Sequence, residues 1–84
     1  MTRRALLVED DGAIATVITA ALEEDGFAVD RCDSIAGRDR LIAEGSYDVM
    51  LDDGILGDGD GIETLATVQA AAPDMPVIIL SAQN

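Results

Sequence analysis

Ala5-Leu6-Leu7-Val8 is a short, continuously apolar run, the pattern of a strand covered on both faces. Ile14, Val17, Ile18, Ala21 and Leu22 then recur at helical spacing, and Gly26 supplies the stop. From Phe27 to Cys32 apolar and polar residues alternate, which predicts a second strand. Ser34 is placed to cap a helix carrying Ile35, Leu41 and Ile42, which Gly45 ends and Gly37 weakens. Tyr47 to Leu51 predicts a third strand, and Gly54 to Gly61, with four glycines, predicts a loop. Ile62, Leu65, Ala66 and Gln69 begin a third amphipathic helix that runs to Pro73. Val77 to Leu80 forms a fourth, strongly apolar strand.

Strands alternating with helices specify an α/β domain built on a doubly wound parallel sheet. Ligands of such sheets sit beyond the carboxyl ends of the strands. Two acidic segments fall there: Glu9-Asp10-Asp11 after the first strand and Asp52-Asp53 after the third. Ser81 ends the fourth. If the first and third strands are neighbours, three or more carboxylates meet in one crevice. Like charges that close raise one another's pKa and call for a proton or a cation. A hard divalent ion with oxygen ligands, Mg²⁺ above all, suits such a group.

Composition narrows the partners. The chain has 84 residues and a net charge of −12, from 17 acidic residues against five arginines, with no lysine and no histidine. That balance argues against nucleic acid or an anionic membrane as a direct partner and suits a basic protein surface or a bound cation. Cys32 is the single cysteine, so neither an internal disulfide nor a cysteine-based metal site is expected. The Arg3-Arg4 pair leads only a four-residue apolar run, too short for a signal peptide, and no stretch reaches membrane-spanning length. A cytoplasmic location is the expectation.

The order of these motifs resembles the receiver domain of two-component response regulators. Four segments carry the resemblance: Leu7-Val8-Glu9-Asp10-Asp11 with Ile14, Asp48-Val49-Met50-Leu51-Asp52-Asp53, Gly57-Asp58-Gly59-Asp60-Gly61, and Pro76-Val77-Ile78-Ile79-Leu80-Ser81-Ala82. The resemblance implies a flavodoxin-like fold with strand order 2-1-3-4, in which residues 1–84 are the N-terminal portion and the final helix, strand and helix are missing. It implies that Asp53 accepts a phosphoryl group from a histidine kinase or phosphotransfer protein. Asp10, Asp11, Asp53 and the backbone carbonyl of Ile55 would hold Mg²⁺. Ser81 would be the hydroxyl that senses the phosphoryl group, and an output domain outside this chain would be switched. Pro73-Asp74-Met75-Pro76 through Asn84 is similar to the receivers of nitrogen-regulator-type transcriptional activators.

Several residues depart from the family pattern. Gly54 and Gly57 stand where the family often has an apolar residue and a proline, and Asp52 adds a carboxylate beside the acceptor. The lysine that a fifth strand normally supplies is absent from these residues. These departures keep open an alternative, a degenerate receiver that takes no phosphoryl group and works as a protein-docking module. An enzymatic reading fails. Asp52-Asp53-Gly54 resembles the opening motif of haloacid-dehalogenase-type phosphatases, but the nucleophile position is Leu51. A calcium loop through Asp58 and Asp60 fails as well, because Leu56 and Thr67 would occupy its obligatory carboxylate positions. An apolar edge at Val77 to Leu80 predicts dimerisation or strand exchange.

Overall fold

Ala5, Leu6, Leu7 and Val8 are fully buried in the computed structural model, which describes residues 2–80. Burial of Leu6, Leu7 and Val8 contributes about 1.5–3 kcal/mol for each side chain. They belong to β1 (Arg3–Val8), which lies between β2 (Phe27–Cys32) and β3 (Val49–Asp52). A short hairpin follows, formed by β4 (Ile55–Leu56) and β5 (Gly59–Asp60). The last strand, β6 (Val77–Ile79), pairs with the far side of β3. The sheet order is β2-β1-β3-β6 and every pairing in it is parallel. Counting the sheet strands alone, this is the expected order 2-1-3-4.

Side chains that alternate along a strand divide the core in two. Leu6, Val8 and Met50 pack on one face with Ile42 of α2 (Ile35–Glu44) and Val68 of α3 (Leu65–Ala71). Ala5, Leu7 and Leu51 pack on the other with Ala15 of α1 (Gly12–Glu24). Helices therefore cover both faces, and both strand faces need to be apolar, as the unbroken run at Ala5–Val8 is.

Boundaries differ from the sequence expectation where local cues compete. The third strand is Val49–Asp52 rather than Tyr47–Leu51, because Asp52 still pairs with Val8 in register. Within the expected 54–61 loop, Ile55 pairs with Asp60 and Leu56 with Gly59. The third helix begins at Leu65 and leaves Ile62 exposed, since Asp60 and Thr64 organise the turn before it. On α1 the stripe that reaches the sheet is Ala15, Ile18 and Leu22, while Ile14 and Val17 face outward. Among the described residues no helix is long and apolar enough to cross a membrane.

Candidate functional site

Register builds the site. Val8 and Asp52 are partners in adjacent parallel strands, and the Asp53 amide donates to the Val8 carbonyl at 2.9 Å. The residues that follow, Glu9 and Asp53, therefore leave the sheet side by side. Carboxylate oxygens of Glu9, Asp10 and Asp53 lie within 4.8 Å of one another, with Glu9 buried, Asp53 half-buried and Asp10 exposed. The strand end is held from behind by Arg31, whose Nε and Nη2 donate to the Glu9 carbonyl at 3.2 and 2.9 Å.

The electrostatics ask for a cation. Burial pushes the Glu9 carboxyl above its ordinary range, and contact with the Asp53 carboxyl and the charges of Asp53 and Asp10 push the same way. The Asp11 amide, 3.4 Å from Glu9 Oε2, pulls in the opposite direction. Three hard oxygen donors with no sulfur or imidazole among them match Mg²⁺ or Ca²⁺ rather than a softer metal. The residues present fit a divalent ion.

Asp11 is placed differently from Asp10. It is the N-cap of α1, and its Oδ1 accepts from the Ala13 and Ile14 amides at 2.9 and 3.0 Å. The carboxylate grouped with Asp10 and Asp53 is instead that of Glu9. Helix capping is the physical reason, because the residue before the first helical turn is claimed by orphan N–H groups. That signal was readable in Asp11-Gly12, one residue further along than the pair left for the site. Ile55 opens β4 two residues after Asp53, in register with Asp60. Ser81 lies outside the described residues.

The other loop carboxylates have structural work. Asp60 Oδ1 accepts from the Ile62 and Glu63 amides at 2.8 and 3.0 Å, a turn role. Asp58 reaches across to α2 and accepts from the Ile35 and Ala36 amides at 2.8 and 3.1 Å, which holds its carboxyl below the ordinary value. Asp52 alternates with Asp53 to the opposite face of β3, where it is fully buried. Burial pushes its carboxyl above the ordinary value, and the Arg38 guanidinium opposes that push from 3.3 Å. Arg38 escaped the reading of the sequence. The available signal was a charge between Ile35 and Ile42 on the apolar face of a helix, matched by Asp52 at an inward strand position.

Comparisons with known proteins agree with this geometry. The family model for the response regulator receiver domain matches residues 5–84. The DNA-binding transcriptional regulator NtrC of Rhizobium meliloti (strain 1021) is 38% identical over 85 residues, covering 100% of this chain and 18% of the relative. The swarming motility regulation protein RssB of Serratia marcescens is 39% identical over 79 residues, covering 94% of this chain and 36% of the relative. The chain thus spans well under half the length of these curated relatives. Among solved structures, the MaeR response regulator bound to beryllium trifluoride superposes with a TM-score of 0.88 at 32% identity, over 100% of this chain and 70% of that one. With its sheet order, its acidic crevice and a family match across nearly all of its residues, the chain belongs to the receiver domains of two-component response regulators.

Proposed function

We propose that this chain is a phosphoacceptor module in which Asp53 takes a phosphoryl group from a histidine kinase or phosphotransfer protein in a Mg²⁺-dependent reaction. The observation that carries this reading is the convergence of Glu9, Asp10 and Asp53 where β1 and β3 end. A carboxylate oxygen of Asp53 bonds to phosphorus as the phosphorus–nitrogen bond of a phosphohistidine breaks, and the departing imidazole keeps the electron pair. Glu9, Asp10 and Asp53 would hold the divalent ion, with the Ile55 carbonyl as a further ligand on this reading. A bound ion supplies charge neutralisation for the incoming phosphoryl group. Beryllium trifluoride is a tetrahedral stand-in for a phosphoryl group, so the likeness to MaeR supports the same reading.

An output domain outside this chain would read the modification, as the DNA-binding regulators among the relatives suggest. Ile78 and Ile79 are exposed on β6, the outer strand among the described residues, which supports reading that edge as a surface for dimerisation or strand exchange. The deciding experiment is intact mass after incubation with Mg²⁺ and a small-molecule phosphodonor. One phosphoryl group should be gained, and it should be lost in Asp53→Ala or on chelation of the metal. No gain in the parent chain would overturn the reading in favour of a receiver-like docking module.

A further inference from the structure

Arg38 is a fully buried arginine on α2 whose five N–H groups all have acceptors. Nη1 donates to Asp52 Oδ2 at 3.3 Å and to the Gly61 carbonyl at 3.1 Å. Nη2 donates to the carbonyl and Oγ1 of Thr64 at 3.3 and 2.9 Å, and Nε to Asp39 Oδ1 at 3.0 Å. These acceptors bracket one excursion of the chain. Asp52 is the residue before Asp53, Gly61 closes the loop through its amide to the Gly54 carbonyl at 2.9 Å, and Thr64 stands just before the first turn of α3. A Cβ at Gly61 would stand 2.5 Å from the Asp53 carbonyl oxygen and 2.8 Å from Asp52 Oδ1. The backbone at 61 therefore rests directly on the two aspartates.

We propose that Arg38 is a positioning residue of the acceptor site: from α2 it holds both ends of the 53–61 loop and so sets where Asp53 and the Ile55 carbonyl stand relative to Glu9 and Asp10. Asp58 reinforces the same attachment at the loop tip, through its two bonds to the first amides of α2. These are the hydrogen bonds between the loop and α2 among the described residues, and Leu56 adds packing against Ile42 and Val68. Arg38 touches neither the phosphoryl group nor the metal, and it acts only through the backbone that carries their ligands. The proposal rests on the acceptor reading of Asp53.

The test replaces the ion pair by apolar residues of similar size, Arg38→Met with Asp52→Leu, because such pairs are exchanged with little loss of stability. Arg40→Met, on the exposed side of the same helix, is the control. Mg²⁺ affinity by calorimetry and amide exchange at Gly61 without metal are read under conditions where every variant is folded. The paired variant should bind Mg²⁺ about 10–100-fold more weakly, exchange the Gly61 amide faster and label more slowly, while Arg40→Met should match the parent. A purely structural Arg38 would change the denaturation midpoint but neither readout of the folded protein, and parental affinity and exchange in the paired variant overturn the proposal. A parent chain that binds Mg²⁺ without labelling refutes the function proposed for Asp53 and leaves affinity and exchange to decide this inference. A parent that binds no Mg²⁺ refutes both.

Discussion

Two charges occupy positions that periodicity reserves for apolar side chains, and each makes the other tolerable. Arg38 shares a helical face with Ile35 and Ile42, and Asp52 shares an inner strand face with Met50. Desolvating such a pair is costly, and the carbonyls of Gly61 and Thr64 offset part of that cost by satisfying the remaining donors. Removing one member is worse than removing both. Arg38→Met alone should destabilise the chain by about 3–5 kcal/mol, read from urea titration, and Asp52→Leu should recover most of it. At the opposite end of the sheet Asp30 accepts from the Tyr47 hydroxyl at 2.7 Å and pairs with Arg4 at 2.9 Å. The hydroxyl first, then Arg4, holds the Asp30 carboxyl below 3.8 against its partial burial. A depressed carboxylate contributes stability above its unfolded value and loses it as pH falls through the folded one. Tyr47→Phe should therefore lower the denaturation midpoint at neutral pH and shrink the further loss seen below pH 3.8.

At the scale of elements, caps and turns decide which carboxylates are free for chemistry. Asp11 is committed to the first turn of α1. Asp11→Ala should cost about 1 kcal/mol of stability, whereas Asp11→Asn should keep the cap and leave Mg²⁺ affinity unchanged. Glu9→Gln or Asp10→Asn should weaken that affinity, which calorimetry on the same samples would separate from the capping effect. The β4–β5 hairpin depends on its glycines for two different reasons. Gly59 has φ of +147°, a conformation that side chains resist, and Gly61 has no room for a Cβ. Gly61→Ala should destabilise by about 1–3 kcal/mol or more and displace the Asp53 backbone, visible as amide shifts at residues 53 and 54. The hairpin was invisible to pattern reading because it is two residues wide and held by partners distant in sequence, Ile35, Ala36 and Arg38.

For the molecule as a whole, net charge and topology act together. A chain carrying −12 gathers three carboxylates at the same end of its sheet, so a divalent cation should stabilise it. Mg²⁺ at roughly a hundred times its Kd should add about 2.7 kcal/mol, seen as a rise in thermal midpoint that Asp53→Ala reduces. The exposed Ile78 and Ile79 on β6 should drive self-association that sedimentation detects and that Ile78→Lys suppresses.

The sheet order came with the family resemblance; the helices, the strands of the main sheet and the end of that sheet where the acidic residues gather were legible from the chain itself. They follow from local periodicity, from the bias of parallel crossovers and from acidic residues lying just past apolar runs. Asp52 and Asp53 both follow the third apolar run, and it was the family resemblance that singled out Asp53, the residue after the end of β3. The identity of its neighbours was legible only in part, through the cap signal at Asp11-Gly12. Glu9 rather than Asp11 stands with Asp10 and Asp53 because a cap one residue later consumes Asp11, a choice made when α1 forms over the sheet. Arg38, Asp58 and Gly61 acquire their roles only through contacts spanning 14 to 26 residues. Those contacts exist only once two helices and a hairpin close over one strand end, and pattern within a segment carries no record of them.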